Sequence, residues 1–143
     1  MSSRRIALGL FAVALAGAAL AYLREPAWLA GMDYGFRGWQ IEADGTRYRW
    51  TGGHASFFVP ATAASVAIPI RTTFAPGDPA VLVSFTIDDR PADAIVLREP
   101  AWQRQTLGLP PPGRRGLRRI DVRIDRLREG NRGVQIGEWE IRR

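Results

Sequence analysis

Apolar and polar positions divide this chain at residue 23. Ile6 to Leu23 read IALGLFAVALAGAALAYL, 18 residues without a charge, and a bilayer core takes about 17 to 25 apolar residues to cross. Beyond Gly38 the pattern changes: no stretch keeps the 3.6-residue spacing of an amphipathic helix, and apolar residues recur at every second position in short runs. The runs predict strands over 39–43, 46–51, 55–59, 65–72, 80–88, 92–97, 103–107, 117–125 and 134–142. Turn signals fall between them at Asp44-Gly45, Gly52-Gly53, Pro60, Pro76-Gly77-Asp78-Pro79, Asp89-Arg90-Pro91, Pro110 to Gly113 and Gly130-Asn131. Many short strands at this spacing predict an all-β domain, an antiparallel β-sandwich over residues 38–143, preceded by one N-terminal transmembrane helix over 6–23.

The alternation also assigns faces. Val81, Val83, Phe85 and Ile87 share one side of their strand, with Ser84 and Thr86 on the other. From Arg119 to Asp125 the alternation is strict, so Ile120, Val122 and Ile124 are expected in the core and Arg119, Asp121, Arg123 and Asp125 in water. In the last run Val134 and Ile136 have one phase and Trp139 and Ile141 the other, which predicts a bulge near Gly137-Glu138 and a buried Trp139. Asp88-Asp89-Arg90 reads as a hairpin turn, because Asp tolerates the left-handed conformation such turns need.

The flanks of the apolar segment orient it. Arg4, Arg5 and the amino terminus precede it, whereas Arg24 behind it is balanced by Glu25. The positive-inside rule then keeps residues 1–5 in the cytoplasm and puts the domain on the periplasmic or extracellular side of a bacterial inner membrane, single-pass. Ala19-Leu20-Ala21 offers a small-x-small cleavage site, so a removed signal peptide is the rival reading, and Ser3-Arg4-Arg5 only partly fits a twin-arginine signal. Residues 24–37 read as a juxtamembrane tether whose Trp28, Tyr34 and Phe36 either settle at headgroup level or cap the domain core.

Composition narrows the chemistry. Cysteine is absent, which excludes disulfides, thiolate metal sites and thiol nucleophiles. All 20 basic residues are arginine, which excludes lysine Schiff-base chemistry. His54 is the only histidine and has no second imidazole to form a metal site. Asp88, Asp89 and Asp93 lack the acidic-plus-glycine spacing of a calcium loop, and no metal or cofactor is expected. Glu138 and Glu140 flank Trp139 and could act as paired carboxylates only if they faced each other across a cleft; a solvated face is the simpler reading, and no enzyme activity is expected. The net charge of +6 is local: residues 1–103 carry 9 arginines and 9 acids, residues 104–143 carry 11 arginines and 5 acids. LREPAW occurs twice, at Leu23–Trp28 and Leu97–Trp102, with flanks too different for a duplication.

One sequence of motifs is familiar: Arg49-Trp50-Thr51, Phe57-Phe58-Val59-Pro60, an apolar strand ending Ile70-Arg71, Val83 to Pro91, Trp102 before a strand and a Pro-rich loop, and Arg132 to Gly137. This order resembles the jelly-roll, carbohydrate-binding-module-like domains found outside the membrane on bacterial membrane proteins and membrane glycosyltransferases. The likeness covers Arg49 to Arg142 and implies a jelly-roll-like sandwich that binds glycan. The chain lacks the polytopic catalytic portion of such transferases, so no transferase activity is implied.

The candidate site residues follow. Trp50 and Trp102, beside turns, are the expected stacking surfaces for sugar rings. Arg114, Arg115, Arg118 and Arg119 follow the Pro110–Gly113 loop and are the expected anion site, since guanidinium groups meet phosphate or sulfate bidentately. The expected function is a non-catalytic, membrane-anchored accessory of the cell envelope whose partners are the membrane and a glycan or glycolipid. The alternative is a structural subunit that docks onto a larger membrane complex without sugar. Nucleic acid is not an expected partner of a domain outside the cytoplasm.

Overall fold

The period-two segments pair into a two-layered sandwich in the computed structural model, which describes residues 3–143 apart from the side chains of 3–5 and 22–23. A helix, α1 (Ser3–Leu23), is followed by a short 3-10 helix at Ala27–Gly31. Ten strands follow: β1 (Asp33–Phe36), β2 (Gln40–Ile41), β3 (Arg47–Pro60), β4 (Ser65–Arg71), β5 (Val81–Ile87), β6 (Arg90–Leu97), β7 (Gln103–Gly108), β8 (Leu117–Ile124), β9 (Gln135–Gly137) and β10 (Glu140–Arg142). All the pairings are antiparallel. One layer runs β1–β3–β8–β5–β6; the other joins β2, the first residues of β3, β9, β4 and β7, with β10 on β4.

β3 is the hinge between the layers. Tyr48 to Trp50 pair with β9, and His54 to Pro60 pair with β8. Gly52-Gly53, expected as a turn, therefore lies inside a continuous strand. The reason is local: Gly133 and Gly35 pass close to this segment, and Thr51 and Phe36 lie in register, so the two glycines let the strand bend between sheets instead of reversing.

The expected core is present. Val81, Val83, Phe85 and Ile87 point inward with Ile120, Val122 and Ile124, and join Phe57, Val59, Ile68, Ile70 and Ile136 in one cluster. The Asp88-Asp89 turn closes the β5–β6 hairpin with both residues at positive φ, 50° and 66°.

Four expectations are corrected. Asp121 does not face water: it is buried, and its carboxylate accepts from Arg119 Nε at 3.0 Å and Thr86 Oγ1 at 3.2 Å, with His54 Nε2 3.2 Å away. Alternation fixed its side of the sheet correctly, but neighbouring side chains cover that side. In place of a bulge, the last run breaks between β9 and β10; Trp139 is half-buried and stacks on Phe57 at 4.0 Å, while Ile141 is exposed. Residues 24–37 are not merely a tether: β1 pairs with β3, and the Glu25 carboxylate accepts the Leu117 amide at 2.8 Å. Of the tether aromatics, Phe36 packs against the core, whereas Trp28 and Tyr34 are exposed.

Around α1 the side chains described, Ile6 to Ala21, are all exposed. Among the described residues no helix is long and apolar enough to cross a membrane. Tyr22 and Leu23, which complete the 18-residue run, and the charged flank Arg4-Arg5 lie outside the side chains described.

Gly35 tests the new position of β1. It has φ 74°, and a Cβ there would collide with the backbone of His54. Gly35→Ala is expected to destabilise the domain by about 2 kcal/mol in urea unfolding, whereas Gly38→Ala, which has open space, is expected to have little effect.

Candidate functional site

The five tryptophans separate into different environments. Trp50, on β3, is only 9% exposed and has the Arg132 guanidinium 5.5 Å from its ring centroid. It is thus a core-edge side chain and offers no broad face to a sugar. Trp102, just before β7, is half-buried and borders a groove of about 630 Å³ with Arg47, Pro69, Glu138, Trp139 and Glu140. The two candidate tryptophans therefore do not share a site.

The sheet register builds this groove. β4 pairs with β7 on one side and with β9 and β10 on the other, which brings Pro69 opposite Arg104 and sets Glu138 to Glu140 alongside. Arg71 lies over the Trp102 ring at 4.5 Å from its centroid, which fixes the indole plane. The Trp102 Nε1–H is buried without a hydrogen-bond partner among the described residues. Around the rim, Arg47 Nη1 donates to Glu138 at 2.6 Å, and Arg104 meets Glu140 through two parallel bonds of 2.9 Å. All four of these side chains are about half exposed. The two carboxylates are consequently each ion-paired to an arginine at the surface.

Trp39 and Arg49 were not among the sequence candidates. Arg49 is buried with its guanidinium 4.0 Å from the Phe36 centroid, 4.6 Å from Trp39 and 5.1 Å from Trp139, and it donates to Asp33 at 2.6 Å. Arg47 also lies over Trp39, which is 40% exposed. The run Arg47-Tyr48-Arg49-Trp50, in which arginines and aromatics alternate, carried part of this signal in the sequence.

The basic cluster divides in two. Arg118 pairs with Asp88 at 2.7 Å and also bonds the Pro111 carbonyl; Arg119 pairs with Asp89 and Asp121. These two arginines brace the β5–β6 hairpin against β8. Burial acts to raise the Asp88 carboxyl, but hydrogen bonds from the Arg119 amide and the Arg118 guanidinium, with the Arg118 and Arg115 charges, outweigh it and hold the group below the usual carboxylate range. Arg114 and Arg115 are exposed and line a groove with Arg24 and Glu25, and Arg115 also lines the adjoining pocket of Arg118, Arg119, Asp88 and Asp89. Asp88 and Asp89 are thus turned to arginines and Asp93 to Gln105. Among the described residues no cluster of three or more His, Asp or Glu could hold a metal ion.

No protein-family profile and no curated protein matches the chain. Solved structures do. A family two carbohydrate esterase from Clostridium thermocellum in complex with cellohexaose matches with a TM-score of 0.50 at 9% identity, over 76% of this chain and 30% of that one. The C-terminal CBM6 of LamC, a marine laminarinase from Zobellia galactanivorans, matches with a TM-score of 0.47 at 9% identity, over 78% and 91%. The CBM36-1 domain of a multidomain xylanase from the hindgut metagenome of Trinervitermes trinervoides gives 0.45 at 10% identity, over 73% and 85%. The fold, an antiparallel β-sandwich, is shared with part of that esterase. At these identities the likeness is one of fold, and the chain spans less than a third of the esterase's length.

The Asp88 geometry has a pH consequence. A carboxyl held lower in the folded than in the unfolded chain stabilises the fold above the usual carboxylate range and stops doing so as pH falls through it. Asp88→Asn is expected to lower the melting temperature at pH 7, with the gap from wild type narrowing below about pH 4. A gap independent of pH from 7 to 3 contradicts this reading.

Proposed function

We propose that the chain is a non-catalytic glycan- or glycolipid-binding accessory of the cell envelope, held at the membrane by α1 with its sandwich on the outer side. The observation that carries the binding reading is the Trp102 groove: an indole beside Trp139 and Pro69, under a rim of two exposed Arg–Glu pairs. A pyranose ring presents an apolar face of C–H groups that suits an indole, and an equatorial belt of hydroxyls that needs both donors and acceptors. Arg47, Arg104, Glu138 and Glu140 offer both, and being half exposed they exchange water for hydroxyls at small desolvation cost. The sandwich fold, shared with part of an esterase solved with cellohexaose, is consistent with this reading.

Support for the membrane reading comes from α1, whose exposed apolar side chains would be costly in water, and from the charge asymmetry of its flanks. The alternative, docking onto a larger membrane complex, draws on the outer β5–β6 face, where Leu82 and Val96 are cross-strand neighbours and both exposed.

The test is tryptophan fluorescence of the full chain in detergent, titrated with neutral and acidic envelope glycans. A saturable change is expected, weakened about 10-fold in Trp102→Ala and unchanged in Trp50→Phe. A flat response to every glycan would sink the glycan reading and favour the docking alternative.

A further inference from the structure

The second groove, at the junction of α1 and the sandwich, has a different chemistry. It is about 950 Å³, and its walls come from residues 24–30 on one side and 114–117 on the other. Ala27, Leu29, Ala30 and Leu117 give it an apolar floor, and Arg24, Arg114 and Arg115 stand at its rim. Glu25, the acid within it, is already engaged by the Leu117 amide at 2.8 Å. Among the described residues, none of the three arginines takes part in an ion pair, unlike Arg118 and Arg119 next to them. Arg24 directly follows α1, so the groove opens where the apolar helix ends. Trp28, 65% exposed, stands on the 3-10 helix that forms one wall.

We propose that this groove seats the phosphate headgroups of anionic lipids, so that the domain leans on the bilayer surface instead of hanging from α1. The proposal rests on the membrane reading of α1 given above. Charge complementarity carries it: three unpaired guanidinium groups suit phosphate, which arginine meets bidentately. The apolar floor suits the glycerol and first methylenes of the lipid, and a soluble anion would leave it unused. Continuity with α1 decides the occupant, because a lipid at the end of the helix is already at the groove mouth, and an exposed indole beside it sits at the depth tryptophans favour. Each arginine near an anionic surface strengthens the contact about five-fold at moderate salt, and the contact weakens as salt screens it.

The test uses the full chain mixed with vesicles of phosphatidylcholine alone, or of phosphatidylcholine with phosphatidylglycerol, some carrying brominated acyl chains. Flotation reports on α1, and quenching of Trp28 by bromine, assigned by its loss in Trp28→Phe, reports on the groove. The expected result is flotation with both vesicles and stronger Trp28 quenching in the anionic ones. That increment is lost in Arg114→Gln/Arg115→Gln, with flotation unchanged and the melting temperature lowered only slightly, because both side chains are exposed and only the Arg115 charge bears on Asp88. Equal quenching in the two vesicles, or an increment that survives in the variant, overturns the groove proposal while leaving the anchor intact. Flotation only with anionic vesicles, lost in the variant, supports the groove and overturns the anchor. No flotation with either overturns both.

Discussion

A single strand has to belong to both layers, and the rest of the sandwich depends on how β3 manages it. Backbone N–H and C=O groups buried in a core must all be paired. Over its 14 residues β3 satisfies this by changing partner, from β9 and β2 before Gly52-Gly53 to β8 after it, with β1 alongside both parts. The exchange point is tied down by Thr51, whose hydroxyl accepts the Val134 amide at 3.0 Å and lies 3.2 Å from the Val134 carbonyl. Because β3 bends, Phe57 from one layer reaches Trp139 beside the other, and their rings stack between the sheets.

Arg49 shows the same constraint in electrostatic form. A buried guanidinium is costly unless its charge is met. Here Asp33 on β1 meets it, and Phe36, Trp39 and Trp139 surround it with ring faces, so β1 and the β9–β10 break are fixed by one cation. The residues before the sandwich are thereby drawn into its core, and the junction with α1 becomes a walled groove instead of a loose linker.

Much of this was legible in the sequence and some was not, for identifiable reasons. The strands from Val81 to Ile87 and from Leu117 to Ile124 were legible because one buried face leaves a period of two. Gly52-Gly53 misled because a glycine pair marks a turn locally, while the bend of a shared strand is decided by partners far away in sequence. β1 was missed because four residues around Gly35 are too short to show a period. Asp121 was misplaced because alternation tells which side of a sheet a residue takes and says nothing of what lies over that side. The half-exposed position of Trp102 was legible from its place beside Pro100 at the start of a strand, but the burial of Trp50 depends on Arg132 and on the layer packing. The division of the four arginines into braces and rim depends on Asp88 and Asp89 arriving from another hairpin.

The two grooves share no residue, and each has chemistry suited to a different part of a glycolipid-bearing surface: indole and mixed charges at Trp102, arginine over an apolar floor beside α1. The central claim is that the first of these takes sugar through Trp102. The most direct measurement is the nitrogen–proton NMR spectrum of the five indole N–H groups as a bound glycan is added. The account predicts that the Trp102 resonance moves most, with Trp139 following, while Trp50 and Trp28 stay in place. Movement of Trp50 with Trp102 unmoved, or no indole movement at saturating glycan, would contradict it.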